Sequence, residues 1–325
     1  MVGVGAATGR TLVYRTYALE KKNTAITRAL IVVHGLGRDA DSYFRHTLAA
    51  AFLASALNDT IVIVPRFASN EGGPCKDELG SGEMGWHCQP RSDTWRNGGA
   101  AIDSTVTSFD VADELLRKLA RKDVFPNLRA IVVAGHSAGG QFVSRYEMTN
   151  LVHESLPVKP TYVVANPSSY TYFDNLRPTP SALPTSVAAG APGYTAPLGT
   201  NAPAAFVAFA DAPNCTSYDN WPYGLKERNG YSTRLDDDQV KKQLGARPTT
   251  YVLGELDILP LYGFDSSCPA MAQGPTRLAR GLAYARYVDE RFGAKHKTLV
   301  VPACGHNARC MFTAEPVLPL LFPKE

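Results

Sequence analysis

The sequence predicts an α/β fold, a mostly parallel central sheet flanked by helices, with a loop-rich insertion. Three observations predict it. Short apolar runs suited to burial on both faces alternate with helical patterns along the 325 residues, the arrangement of strands joined by crossover helices. Several of these runs end in turns containing Gly, His, Asp or Ser, the residue types that build sites at strand ends. The runs resume after an irregular middle stretch, so the whole chain, 1–325, is expected to be one domain with an insertion at about 170–245.

In order, Thr11 to Glu20 and Ile26 to Val33 read as strands, the second continuously apolar and ending in His34-Gly35-Leu36-Gly37. A helix is expected over Asp41 to Leu57 and a buried strand over Thr60 to Val64, followed by an irregular stretch from Arg66 to Gly99. Apolar residues every three or four positions, among them Ile102, Phe109, Ala112, Leu115, Leu116 and Leu119, predict a helix over Ala101 to Lys122. The strand Leu128 to Ala134 leads into Gly135-His136-Ser137-Ala138-Gly139, and Phe142, Val143 and Tyr146 then recur at helical spacing. The next strand, Thr161 to Ala165, ends in Asn166-Pro167-Ser168-Ser169-Tyr170. The insertion is dense in Pro, Ala, Thr and Gly, and its aromatics, Phe173, Trp221, Tyr223 and Tyr231, serve either as anchors or as substrate contacts. Regularity returns with the strand Thr249 to Leu253, running into Gly254-Glu255-Leu256-Asp257. A helix with core face Leu278, Leu282, Ala285, Val288 and Phe292 follows, and then the strand Thr298 to Val301, ahead of Gly305-His306.

Composition narrows the function. Net charge is +3 with both signs mixed and no Lys/Arg block, which argues against a nucleic-acid partner. No apolar run approaches the roughly 18 residues that span a bilayer, and Met1 to Arg10 lacks a charged segment followed by a hydrophobic one. The six cysteines form no Cys-x-x-Cys pair; the expected bridges are Cys75–Cys88, Cys215–Cys268 and Cys304–Cys310. They point to a secreted or periplasmic protein, the alternative being six reduced thiols in a cytosolic enzyme. No His/Cys/Asp cluster has metal-ligand spacing, so neither metal nor cofactor is expected.

Gly-x-Ser-x-Gly between a strand and a helix forces a sharp turn that pushes the serine hydroxyl out over the sheet edge. Glycines are needed on either side because a side chain would collide with the neighbouring strand or helix. The Ala138 amide, at the helix N-terminus, is free to face a developing negative charge, and the Gly-rich turn after Val33 leaves further amides unpaired. A serine hydroxyl is a weak nucleophile and needs a base and an orienting carboxylate. His306, in a turn after the last strand, is chosen over His34, His46, His87, His136, His153 and His296, and His136 is assigned to structure. Asp257, at the end of the preceding strand, is chosen over Glu255, Asp265 and the solvated run Asp236-Asp237-Asp238.

The order Ser137, Asp257, His306, together with Gly-His-Ser-Ala-Gly and His-Gly-Leu-Gly, resembles the α/β-hydrolase superfamily from about Ala29 to Phe322. The resemblance implies an α/β-hydrolase fold with Ser137 as nucleophile, His306 as base and then acid, Asp257 as orienting acid, and an oxyanion hole from the amides of Ala138 and Leu36. A serine points away from the branches that use an aspartate nucleophile, and His-Gly-Leu-Gly departs from the His-Gly-Gly-Gly form of one esterase branch. The expected activity is carboxylic ester hydrolysis by a serine esterase through an acyl-enzyme, on a small-molecule or polymeric ester, by a monomer. Peptidase, amidase, thioesterase or lactonase activity would use the same residues, and a non-catalytic binding protein on this fold is the alternative from another class.

Overall fold

The computed structural model describes residues 1–4, 7–179 and 205–324. Strands β1 (Val2–Val4) and β2 (Ala7–Gly9) pair antiparallel at the start. There follow β3 (Val13–Arg15), β4 (Arg28–Val33), α1 (Ala40–Leu53), β5 (Thr60–Pro65), α2 (Ser108–Leu119), β6 (Ala130–His136), α3 (Ala138–Thr149) and β7 (Pro160–Ala165). A second antiparallel pair, β8 (Leu176–Pro178) and β9 (Phe206–Ala208), stands on either side of 180–204, the part of the expected insertion outside the described residues. The chain continues through α4 (Asp237–Ala246), β10 (Thr249–Gly254), α5 (Cys268–Met271), α6 (Arg277–Phe292), β11 (Lys297–Val301), α7 (Ala308–Thr313) and α8 (Leu318–Leu321).

The main sheet has seven strands in the order β11-β10-β7-β6-β4-β5-β3, parallel except for β3 at one edge. The expected mostly parallel sheet is therefore present, and β10 and β11 join it after the insertion. The two-residue alternation of a strand sorts its apolar side chains between two cores. Ile31, Val33, Ile131 and Val133 face the layer that holds Phe109 of α2 and Phe142 of α3. Leu30, Val32, Val132 and Ala134 face the opposite layer, which holds Ala50 of α1 and Met311 and Phe312 of α7. Six parallel strands place all their carboxyl ends along one edge, where the turns after β4, β6, β10 and β11 meet.

Two expectations are corrected. The helix expected from Ala101 begins at Ser108, because the Thr107 side chain accepts from the Asp110 N–H while the Asp110 carboxylate accepts from the Thr107 N–H. Ile102 lies in the preceding turn, 37% exposed. The run Asp236-Asp237-Asp238 is solvated, as expected, and forms the cap and first turn of α4, where negative charge is favourable beside the positive end of the helix dipole. In α6 the buried face is Leu278, Ala279, Gly281, Ala283, Tyr284, Tyr287 and Val288, while Leu282 and Ala285 are only half-buried. Tyr284 and Tyr287 pack with Tyr170, Tyr172 and Tyr251 at ring separations of 4.4 to 5.7 Å.

Candidate active site

Ser137 occupies the turn between β6 and α3 with φ 60° and ψ −121°, a left-handed conformation rarely tolerated outside glycine. Its N–H donates to the Ala165 carbonyl at 2.9 Å and its own carbonyl accepts from the Gln141 N–H at 3.0 Å, so both flanking elements hold the turn. The neighbouring glycines are sterically required. A Cβ at Gly135 would stand 2.2 Å from the Gly139 carbonyl oxygen, and one at Gly139 would stand 2.1 Å from that of Val33.

The turns after β10 and β11 bring Asp257 and His306 to the same place. His306 Nε2 lies 2.9 Å from Ser137 Oγ, and its Nδ1 lies 2.7 Å from Asp257 Oδ2. Among the described residues, no other histidine hydrogen-bonds to Ser137. Glu255 accepts from the Ala303 N–H instead, at 2.8 Å, and Asp265 takes the Tyr223 hydroxyl at 2.7 Å.

Two side chains with no assigned role in the sequence hold these turns. The Arg277 guanidinium reaches Asp257 Oδ1 at 3.3 Å, Ser168 Oγ at 2.6 Å and the carbonyls of Leu261 and Tyr262 at 2.8 Å each. Burial pulls its pKa down while the Asp257 carboxylate opposes that. Asn166, at φ 44° after β7, accepts from the Gly254 N–H at 2.7 Å and donates to the Gly305 carbonyl at 3.3 Å, clasping the Asp257 and His306 turns together. Arg277 starts a helix and contacts Asp257 across a folded loop, so nothing local marks it. Asn166 sits at a strand end beside Pro167, a position that signals a turn without naming its partners.

On the other side of Ser137, the turn after β4 presents Leu36. Among the described residues neither the Leu36 nor the Ala138 N–H reaches an acceptor. Arg38 braces this turn by donating to the Leu36 carbonyl at 2.9 Å while it pairs with Asp77 at 2.5 Å. His34 is buried, with Nδ1 2.9 Å from the Gly35 carbonyl and Nε2 accepting from the Phe67 N–H at 3.0 Å. Burial pushes its pKa down to about 4, so it is neutral and structural. His136 Nδ1 lies 3.0 Å from the Tyr43 hydroxyl, and its ring packs 4.7 Å from that of His306. Burial, and then the nearby His306, hold His136 well below the usual histidine range, so it adds no positive charge beside the candidate base.

These residues open into a cleft of about 1140 Å³. Of the insertion aromatics, Trp221 and Tyr223 line the cleft, whereas Phe173 packs on Phe292 at 5.1 Å and Tyr231 on Phe109 at 5.6 Å. Sulfur bridges join Cys75 to Cys88, Cys215 to Cys268 and Cys304 to Cys310, the expected pairing. Glu71, Cys75 and Cys88 gather ligand-type atoms within 4.8 Å, but the two sulfurs are bonded to each other and supply no thiolate. Among the described residues no helix is long and apolar enough to cross a membrane.

The sequence model of the alpha/beta hydrolase family matches residues 30–318. Among solved structures, poly(aspartic acid) hydrolase-1 from Sphingomonas sp. KT-1 is similar with a TM-score of 0.60 at 23% identity, over 98% of this chain and 96% of that one. LpqC, the poly(3-hydroxybutyrate) depolymerase of Bordetella parapertussis, is similar with a TM-score of 0.57 at 20% identity, over 97% of this chain and 90% of that one. At these identities the likeness is one of fold. No curated protein matches the chain.

Proposed function

We propose that this chain, which belongs to the alpha/beta hydrolase family, is a serine hydrolase that cleaves carboxylic esters through an acyl-enzyme. The observation that carries the reading is the unbroken hydrogen-bond chain from Ser137 Oγ through His306 to Asp257, whose members come from three separate strand ends.

In this reading Ser137 Oγ attacks the ester carbonyl while its proton passes to His306 Nε2, and the Asp257 carboxylate stabilises the imidazolium. The carbonyl oxygen, now negative, is met by the N–H groups of Ala138 and Leu36, each worth about a hundredfold or more in rate. Collapse breaks the bond to the alcohol, which leaves with the proton from His306. Water then attacks the acyl-enzyme, gives its proton to His306, and the serine regains that proton as the acid departs. Arg277 and Asn166 act as positioning residues for Asp257 and His306.

The cleft volume suits small esters and a segment of a polymeric ester alike, and the two structural relatives are named for hydrolysis of polymers. The three disulfides support a secreted or periplasmic site of action. One domain carrying an insertion at about 170–245 is supported by β10 and β11 rejoining the main sheet.

The test is turnover of a p-nitrophenyl ester series from acetate to dodecanoate, with matched anilide, thioester and lactone substrates. Esters should be cleaved with a burst of p-nitrophenol equal to the enzyme concentration wherever deacylation is slow. Absence of turnover at any chain length by folded protein would overturn the reading in favour of a binding module.

A further inference from the structure

Among the described residues, six ionised side chains line the cleft: Arg38, Arg91, Arg96, Arg145, Asp39 and Asp265. Arg38 is neutralised by Asp77 at 2.5 Å, and Arg91 pairs with Asp93. Among the described residues, Arg96 and Arg145 have no carboxylate within 4.0 Å. Asp265 is felt by both arginines at longer range, but it is engaged by the Tyr223 hydroxyl at 2.7 Å and by Ser267 Oγ at 2.6 Å. Asp39 acts on Tyr43 and His46 instead. Residues 180–204 contain no Asp or Glu and can supply no counter-charge.

Arg145 is 1% exposed, and among the described residues its guanidinium meets only neutral groups, Asn97 Oδ1 at 2.9 Å and Ser169 Oγ at 3.1 Å. Its buried Nε has no partner. Burial and the neighbouring Arg96 lower its pKa to about 9, so it remains a cation at neutral pH. Two neighbouring guanidiniums, one of them buried, with no carboxylate paired directly to either are unfavourable by ordinary electrostatics, and an arginine fork matches the two oxygens of a carboxylate. The pair is also tied to the reaction centre. Arg145 follows Ser137 by two turns of α3, and between them Gln141 donates at 2.7 Å to the same Ser169 Oγ that accepts from Arg145.

We propose that Arg96 and Arg145 form a carboxylate subsite of the cleft, so that the ester cleaved at Ser137 carries a free carboxylate a few atoms from the scissile bond. This rests on the hydrolase reading for the reaction and adds the substrate class. The anion enters between the two guanidiniums, takes the unfilled donors of both, and fixes the acyl chain along the Gln141 and Ser169 floor.

The experiment compares kcat/KM for mono-p-nitrophenyl adipate with that for p-nitrophenyl heptanoate, a neutral ester of matched length. The ratio should favour the carboxylate ester by about tenfold or more at low salt and shrink as NaCl is raised. Arg96→Gln and Arg145→Gln should each lower the ratio by about tenfold, while Arg145→Lys retains part of it. Because each ratio is taken within one protein, a variant with less folded enzyme still reports. In parallel, adipate and adipamide are titrated calorimetrically into Ser137→Ala, where adipate should bind at least about tenfold more tightly, and Arg96→Gln should abolish the difference. A wild-type ratio of one or below, or a ratio untouched by both substitutions, overturns the subsite and leaves Arg145 as a brace for Asn97 and Ser169. If neither ester is hydrolysed, the hydrolase reading fails and the titration alone decides the subsite, equal binding of adipate and adipamide refuting it.

Discussion

Replacing Arg277 by methionine tests whether the candidate acid is held in place by a buried cation. Both side chains of the Arg277–Asp257 pair are at most 1% exposed at a separation of 3.3 Å. Removing the guanidinium leaves the Asp257 carboxylate with His306 as its remaining side-chain partner and strips donors from Ser168 Oγ and from the carbonyls of Leu261 and Tyr262. Breaking one side of a buried ion pair costs about 3 to 5 kcal/mol. A chain of this length unfolds with an entropy of about 0.7 kcal/mol/K, so the midpoint should fall by roughly 4 to 7 °C in a calorimetric scan. Activity should fall further than stability implies, because displacement of a catalytic group by about 1 Å costs about a hundredfold. That loss should appear in kcat for a small neutral ester, with KM within about threefold of wild type, since Arg277 reaches the chemistry through Asp257. Arg277→Lys should recover only part of kcat, because one ammonium cannot serve four acceptors in the geometry of a planar fork. An Arg277→Met protein with unchanged midpoint and unchanged kcat would show that Arg277 does not hold Asp257.

Other outcomes follow from the same contacts. His34 titrates near 6.5 when unfolded but only at about 4 in the fold, so the unfolded chain takes up a proton that the native state refuses. Stability is therefore retained above pH 6.5 and falls by about 3 kcal/mol as pH drops to 4, and urea melts of His34→Gln should show a correspondingly shallower acid slope. Gly139→Ala forces a methyl group against the Val33 carbonyl and should cost about 3 kcal/mol or more with a disproportionate loss of activity, measured by denaturation and ester turnover. The native, unreduced protein should show no free thiol by thiol titration and six after reduction in denaturant. Opening Cys215–Cys268, whose cysteines are 53 positions apart, should cost about 4 kcal/mol, against about 2 for Cys304–Cys310, 6 apart.

The sheet was legible because buried parallel strands are apolar without interruption, as in Ala29 to Val33 and Ile131 to Ala134. The candidate site was legible for a related reason: Ser137, Asp257 and His306 each follow such a run, and parallel strands carry their ends to one edge. Helix limits were less so. The α2 start depends on reciprocal bonds between Thr107 and Asp110, and an apolar periodicity that begins at Ile102 conceals it. The α6 face is harder to read because Tyr284 and Tyr287, half-polar side chains, turn their rings into the core. Arg277, Asn166, Arg96 and Arg145 were not legible, since a buried arginine or asparagine looks in sequence like any solvated one until the fold supplies its partners.

Acylation of Ser137 with His306 as its base is open to a direct test by covalent labelling. Wild-type protein treated with a fluorophosphonate should gain one adduct by intact mass, mapped to Ser137 by peptide sequencing. Ser137→Ala should gain none, and His306→Ala should react slower by about a thousandfold or more. Labelling at another residue, or labelling of Ser137 at equal rates with and without His306, would rule out these roles for Ser137 and His306.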